Sequence, residues 1–277
     1  SCKMQKKCFT PSKSLVVVTG GANGIGLCLC QEFARRGARK VVAIDVDAAG
    51  AAATARSLPD GVGVSIRADC GSEMDLRRAI LAIESEHGPI DAFCCNAGVL
   101  SRGGPEVPNE EWECLWKVNV MQIVYAARHL FPSFERRGRG SFLVTSSAAG
   151  LLTMLGALPY AVTKHASLSV AEWLQFTYAS KGISVSCLCP QSVRTRMIGN
   201  NEDARKAMVG RDRVLDPADV AREVVDAMEV GTFLILPHKS VQKYFQHKAA
   251  SYDRWLQGMQ HMQDGLLKSV LNKSSKL

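Results

Sequence analysis

A doubly wound α/β domain around a parallel sheet is the fold class this sequence predicts, and three observations predict it. Short runs rich in Val and Ile, apolar on both faces, alternate with segments of helical period along most of the chain. The first of these runs passes straight into a glycine-rich turn and then a helical segment. The composition, 47% hydrophobic and 22% charged over 277 residues, is that of a globular chain, and it excludes a disordered, collagen-like or coiled-coil protein.

Taken in order, strands are expected at residues 15–19, 40–45, 62–68, 90–94, 141–145, 183–188 and 233–236, a seven-stranded parallel sheet. Helices are expected between them. Residues 25–36 stop at Gly37 and residues 72–87 at Gly88, glycine being the residue that ends a helix most readily. Residues 110–137 read as one long helix, and residues 160–180 end near Gly182. Asp216 is an N-cap for residues 217–229, with Pro217 at the first helical position. The alternation argues for a single domain over residues 14–239, with a basic tail at 1–13 and a helical tail at 240–277. In that last segment Tyr244, Phe245, Tyr252, Trp255, Leu256 and Met259 are spaced for an amphipathic helix packed on the domain or on a partner subunit. Residues 190–215 interrupt the pattern and carry Arg194, Arg196, Arg205, Lys206, Arg211 and Arg213; a long loop of this kind is usually functional.

A net charge of +8 suits an anionic small molecule, a cofactor phosphate or a nucleic acid. The basic residues are dispersed and no nucleic-acid motif is present, so no nucleic-acid partner is expected. The ten cysteines include Cys28 with Cys30, Cys94 with Cys95 and Cys187 with Cys189, all inside apolar runs. None forms a C-x-x-C pair and the six histidines are scattered, so no metal site is expected. The thiols read as small buried hydrophobes in a reducing compartment. Residues 1–13 have no apolar run of the kind a secretory leader needs. Residues 141–163 are uncharged, but Thr145, Ser146, Ser147, Gly150, Gly156 and Pro159 make them a strand and a loop, not a membrane span.

The glycine turn reads Thr19-Gly20-Gly21-Ala22-Asn23-Gly24-Ile25-Gly26. Glycines let the backbone approach a pyrophosphate, and the helix that follows offers free N–H groups with a partial positive charge. Asp45 ends the second strand 19 residues after Gly26, where a carboxylate accepts from ribose hydroxyls and repels a 2′-phosphate. No Arg or Lys lies in the turn or closely follows Asp45, which favours NAD over NADP. Asp69, after the third strand, is placed to accept from an adenine amino group. Tyr160 and Lys164 stand four residues apart, on one face of a helix. A phenol near pKa ~10 is a weak acid–base catalyst at neutral pH, and a nearby ammonium favours its phenolate. Ser147 lies at the carboxyl end of a strand, where such sheets place their sites.

Together these residues resemble the short-chain dehydrogenase/reductase family. Its T-G-x-x-x-G-x-G is met by Thr19 to Gly26, its N-A-G by Asn96-Ala97-Gly98 (preceded by Cys95 where Asn is commoner), its helical Asn by Asn119, and its Ser, Tyr and Lys by Ser147, Tyr160 and Lys164. The resemblance implies a Rossmann fold, NAD as cofactor and hydride transfer between NAD and a secondary alcohol or ketone. Tyr160 would be the acid–base group and Ser147 would hold the substrate oxygen, with Ser146 as its nearest competitor. Lys164 would tune Tyr160 and bind ribose, and Asn119 would hold a proton-relaying water. Gly20, Asn23, Gly24, Ile25, Gly26, Asn96, Val193 and Thr195 would join Asp45 and Asp69 around the cofactor. The resemblance also implies a homodimer or homotetramer. One departure is Gln191, in Pro190-Gln191-Ser192-Val193-Arg194-Thr195, where the family usually has Gly; substrate shape and local geometry there depend on it. An inactive scaffold on the same fold is the alternative, and the intact Asn119, Ser147, Tyr160 and Lys164 argue against it.

The wall after Ser147, Gly150-Leu151-Leu152-Thr153-Met154-Leu155, with Met197 and Ile198 from the loop, suggests an apolar substrate such as a fatty acyl-CoA or another lipid-like carbonyl. The loop arginines are candidates for an acidic group on it. The chain closes on Ser275-Lys276-Leu277, a tripeptide read by the peroxisomal import receptor when it is a carboxyl terminus. A peroxisomal location is therefore expected, with the cytoplasm as the alternative.

Overall fold

Seven parallel strands form one sheet: β1 (Leu15–Thr19), β2 (Lys40–Asp45), β3 (Gly63–Arg67), β4 (Ala92–Cys95), β5 (Gly140–Thr145), β6 (Ile183–Leu188) and β7 (Leu234–Ile235), in the order β3-β2-β1-β4-β5-β6-β7. The computed structural model describes residues 8–198 and 213–274. Arg205, Lys206, Arg211 and the tripeptide Ser275-Lys276-Leu277 lie outside the described residues. In register, Val17 sits between Val42 of β2 and Phe93 of β4. The order reverses between β1 and β4, so the loops leaving these two strands diverge and open a crevice at the carboxyl edge.

Alternate residues of each strand feed opposite layers, as a period of two requires. Leu15, Val17, Val42, Phe93 and Phe142 pack under α3 (Glu73–His87), α5 (Gln122–Arg137) and α7 (Leu158–Tyr178). Val16, Val18, Val41, Cys94 and Leu143 pack under α1 (Gly24–Arg35) and α8 (Pro217–Val230). This double burial is why the strands read as unbroken apolar runs rather than alternating ones. Of the described cysteines, Cys30, Cys70, Cys94, Cys95, Cys187 and Cys189 are buried, while Cys8 and Cys114 are exposed. All nine are free thiols, and burial pushes Cys30 up to about 12.

Three elements differ from the sequence expectation. Helix α2 (Ala48–Arg56) was not foreseen, because an Ala-rich run with only Ala51 and Thr54 buried carries no apolar stripe; Asp47 caps it by accepting from the Gly50 N–H at 2.9 Å. Residues 110–137 are not one α-helix. They divide into α4 (Asn109–Trp116), a π-helical turn (Lys117–Met121) and α5. The tail is two helices, α9 (Lys239–Ala250) and α10 (Tyr252–Ser274), broken at Ser251. The short α6 (Ala149–Leu152) follows β5. Among the described residues no helix is long and apolar enough to cross a membrane, and no group of His, Cys, Asp or Glu is placed to hold a metal ion.

Candidate active site

A cavity of about 920 Å³ opens along the carboxyl edge of the sheet. Its first wall is the turn after β1. Gly20 and Gly24 have φ of +65° and +57°, the left-handed region that glycine adopts without strain. A Cβ on Gly26 would stand 2.0 Å from the Gly20 carbonyl oxygen, so the third glycine lets the helix approach the strand and does not itself line the cavity. Gly20, Asn23, Gly24 and Ile25 do line it. The N-cap residue of α1, Asn23, makes no side-chain capping bond, and the helix has no acid in its first turn. The amino end of α1 thus presents N–H groups that no side chain of its own cap or first turn neutralises, and this fits a pyrophosphate.

Asp45 stands at the end of β2 in the same wall, its two oxygens accepting from the N–H groups of Ala22 and Asp47, each at 3.0 Å. Asp69 lines the wall beyond it and accepts from the Gly71 N–H at 2.8 Å. The charged side chains described in the lining are Asp45, Asp69, Arg102 and Lys164; Arg67, the register partner of Asp45 on β3, is exposed and is not part of that lining. The glycine cradle, the uncapped helix and the two carboxylates fit a dinucleotide with a free ribose.

Asn96 is spent on the scaffold. Its Nδ2 donates to the Thr19 carbonyl at 3.0 Å, its Oδ1 accepts from the Thr145 hydroxyl at 3.2 Å, and its N–H donates to the Thr19 hydroxyl at 2.9 Å. It lines the cavity while tying together the ends of β1, β4 and β5. Asn119 does not line the cavity. Its Oδ1 accepts from the Val99 N–H, and its Nδ2 donates to the Val99 carbonyl, both at 2.9 Å, and to the Thr163 hydroxyl at 3.0 Å. The π turn inserts this side chain between the β4 loop and α7, which explains the break in the expected long helix. The Asn119 side chain is therefore a clasp between the β4 loop and α7.

At the end of β5 the two serines separate. The Ser146 hydroxyl donates to the Lys164 carbonyl at 2.8 Å and accepts from Ser167 at 3.0 Å, so it is consumed in holding α7. The Ser147 hydroxyl accepts from the Ala149 N–H at 3.1 Å, donates to the Pro190 carbonyl at 3.4 Å and stands close enough to the Tyr160 phenol to influence its titration. Tyr160 and Lys164, one turn apart on α7, both line the cavity. The Lys164 ammonium lies 5.6 Å from the centre of the Tyr160 ring and donates to the Thr145 carbonyl at 2.9 Å. Burial lowers Lys164 from its ordinary 10.5 to about 8. Burial also raises Tyr160 above its ordinary value, and the nearby Ser147 hydroxyl opposes the rise. With Nζ turned to Thr145, desolvation is the largest influence on both groups.

The turn after β6 accommodates Gln191 through a residue the sequence left unremarked. The Gln191 N–H donates to His238 Nδ1, and His238 Nε2 lies against the Ser192 carbonyl, each at 3.2 Å. These two bonds make Nδ1 the acceptor and Nε2 the protonated nitrogen. The Gln191 Oε1 is buried without a hydrogen-bond partner among the described residues. Val193 and Thr195 line the cavity, and Val193 bridges to Leu215.

Beyond Ser147 and Tyr160 the wall turns apolar, with Leu152, Met154, Leu155 and Met197 joined by Trp255, Met259 and Met262 of α10. The amphipathic tail therefore roofs the cavity of its own chain. Arg194 and Arg196 are absent from the described lining, and Arg194 pairs with Asp216 at 3.7 Å. The cation that does line this end is Arg102, which the sequence reading did not single out. Its place in the loop that leaves β4, beside Gly103-Gly104, was the available signal.

The family model described as short chain dehydrogenase matches residues 14–206. The chain belongs to the short-chain dehydrogenase/reductase family. Within this family the chain is 34% identical over 231 residues to 1-deoxy-11-beta-hydroxypentalenate dehydrogenase of Streptomyces exfoliatus, covering 82% of this chain and 83% of that protein. It is 31% identical to 2-(R)-hydroxypropyl-CoM dehydrogenase of Xanthobacter autotrophicus, covering 66% and 76%. Among solved structures, a short-chain dehydrogenase/reductase from Burkholderia phymatum in complex with NAD superposes with a TM-score of 0.80 at 25% identity, covering 88% of this chain and 96% of that one. A 3-ketoacyl-(acyl-carrier-protein) reductase from Brucella melitensis complexed with NADH gives 0.75 at 26%, covering 82% and 97%. As a short-chain dehydrogenase/reductase, the chain is an oxidoreductase acting between hydroxyl and keto groups with a nicotinamide cofactor.

Proposed function

We propose that the protein is an NAD-dependent dehydrogenase/reductase of a secondary alcohol or ketone on an apolar body, with Tyr160 as its acid–base group. The observation that carries this reading is the gathering of Ser147, Tyr160 and, one helical turn on, Lys164 in the wall of a cavity whose far side is the uncapped end of α1. Asn23, Gly24 and Ile25 would hold the pyrophosphate, Asp45 the adenosine ribose, Asp69 the adenine amino group and Lys164 the second ribose. When bound, the oxidised nicotinamide would supply the hydride acceptor. Tyr160 takes the substrate's hydroxyl proton as the carbinol C–H bond gives up its hydride, and the substrate becomes a ketone. In the reverse direction Tyr160 returns the proton to the oxygen. Ser147 donates to the substrate oxygen and keeps it facing Tyr160. Asn119 works from behind, by pinning the β4 loop to α7.

Asp45, which lines the cavity while its register partner Arg67 does not, supports NAD over NADP, and the Leu- and Met-lined end of the cavity supports an apolar substrate such as a fatty acyl-CoA or another lipid-like carbonyl. A panel of secondary alcohols, hydroxyacyl-CoA included, offered with NAD⁺ and with NADP⁺ tests the reading. Reduction of NAD⁺ by one class supports it, and equal use of NADP⁺ contradicts the role of Asp45. Exposed Trp173 and Phe176 on α7 support a homodimer or homotetramer, tested by sedimentation. We also propose a peroxisomal location, a reading that holds where Ser275-Lys276-Leu277 is a free carboxyl terminus available to the import receptor. An amino-terminally tagged protein should be punctate and become diffuse when Leu277 is deleted; a diffuse signal with the tripeptide intact contradicts this location.

A further inference from the structure

Lys248 is a buried lysine that no step of the proposed chemistry uses. It lies on α9, 8% exposed, and its ammonium donates to the Leu151 carbonyl at 2.7 Å. The Tyr252 ring covers the same ammonium, with its centre 5.5 Å away. A lysine is almost never buried unless its charge has a partner. The partner here is informative, because Leu151 belongs to α6, the four-residue helix that follows Ser147 and leads into the apolar wall. The last carbonyls of a helix have no partner within it and gather a partial negative charge that suits a cation.

Helix α6 is in turn fixed against the reacting centre. A Cβ on Gly150 would stand 2.6 Å from the Lys164 carbonyl oxygen and 2.7 Å from the Ser146 hydroxyl oxygen, so the glycine lets α6 lie directly on α7 and the end of β5. Just past α6, Thr153 has φ of +70°, a conformation that a β-branched residue keeps only where its surroundings hold it. Leu152, Thr153, Met154 and Leu155 line the cavity from there. On the other side of the Lys248 bond the chain breaks at Ser251 and enters α10, whose Trp255 and Met259 line the same end. The Trp255 ring stands edge-on to His247, the neighbour of Lys248, at 6.1 Å and 87°. Trp255, Met259 and Gln263 are the only described side chains of α10 that are not exposed, so little else holds the roof down. The bond from Lys248 to Leu151 ties that roof to the wall, and through α6 to the helix that carries Tyr160 and Lys164.

We infer that Lys248 is a positioning residue that holds the α10 roof over the substrate end, and that the held roof makes the site select alcohols or ketones whose apolar body is long enough to reach from Tyr160 to Trp255 and Met259. A long body buries its further methylenes against the roof, which a short alcohol does not reach. Methionine and aromatic side chains adapt to such a flexible hydrocarbon. The inference rests on the proposed reading of the site as an alcohol/ketone site, and the experiment separates the two. The probes are butan-2-ol and decan-2-ol with NAD⁺, in wild type, K248M, W255A and the double variant. Methionine keeps the unbranched stem of Lys248 and removes the donor.

Wild type should favour decan-2-ol over butan-2-ol by about thirtyfold or more in kcat/KM. K248M should reduce that preference by about tenfold, through KM for decan-2-ol, while kcat and the KM for butan-2-ol stay within about twofold of wild type. W255A should reduce the preference at least as far, and the double variant no further than W255A, because the two residues act on one roof. Turnover without a preference for the long alcohol, a preference that K248M leaves intact, a K248M protein that slows both alcohols alike, or fully additive losses in the double variant overturns the inference and leaves the dehydrogenase reading standing. If no alcohol is turned over, that reading fails, and calorimetric binding of decan-2-one then decides the inference. Weaker binding to K248M than to wild type keeps the held roof, and equal or absent binding removes it.

Discussion

Lys164 carries a cost that its neighbours disclose. Its ammonium is buried with the Thr145 carbonyl as its described hydrogen-bond acceptor, and burial lowers it from 10.5 to about 8. A folded pKa below the unfolded one means that the unfolded chain binds more protons between the two values, so stability rises as pH climbs from about 8 toward 10.5. Lys164→Met should therefore melt above wild type at pH ~7, by the equivalent of ~3 kcal/mol at most, with the gap closing toward pH ~10.5. A gap that is the same at both pH values would contradict the burial argument. At Asp45 the prediction concerns selectivity. Asp45→Ala combined with Val46→Arg, at an exposed position in the same wall, should raise kcat/KM for NADP⁺ relative to NAD⁺ by about tenfold or more. An unchanged ratio would show that Asp45 does not face the ribose. Both residues were legible in the sequence, since each is fixed by its distance from a motif. The division of labour between Ser146 and Ser147 was legible only as a spacing, and it took the Ser146 bond to Lys164 to give it a physical reason.

Elements whose purpose is to bring backbones together are tested by adding atoms to them. A Cβ on Gly26 would meet the Gly20 carbonyl oxygen at 2.0 Å, a backbone contact with no side chain that can yield. Gly26→Ala should displace α1 from β1 and weaken cofactor binding by at least tenfold in a calorimetric titration; unchanged affinity would mean that the turn is not part of the cofactor site. The π turn is a second case. Asn119→Leu leaves the Val99 N–H and carbonyl without their partner, and should cost ~1–3 kcal/mol in denaturant unfolding and loosen the β4 loop. A variant as stable as wild type would remove the clasp. Neither the π turn nor α2 could be read in advance. A single inserted residue barely alters helical periodicity, and an alanine run with two buried positions has no stripe to detect. Strands buried on both faces announced themselves, although β3 and β7 proved shorter at both ends than their apolar runs.

At the scale of the molecule, the loops leaving β1, β2, β4, β5 and β6 converge on one edge, and α10 folds back over it from the far end of the chain. The seven parallel strands and the polar constellation followed from local patterns. Arg102, His238 and the roof by Trp255 and Met259 did not, because their partners are distant in sequence and only packing brings them to the cavity. The account's central claim is that this edge is an alcohol-oxidising site in which the Tyr160 hydroxyl moves the proton. Its most direct test is Tyr160→Phe, assayed for NAD⁺ reduction with the best alcohol of the panel and for NAD⁺ affinity by calorimetry. The account predicts a rate lower by ~10²–10⁴-fold with affinity retained. A rate above about a hundredth of wild type, with the cofactor still bound, would contradict it.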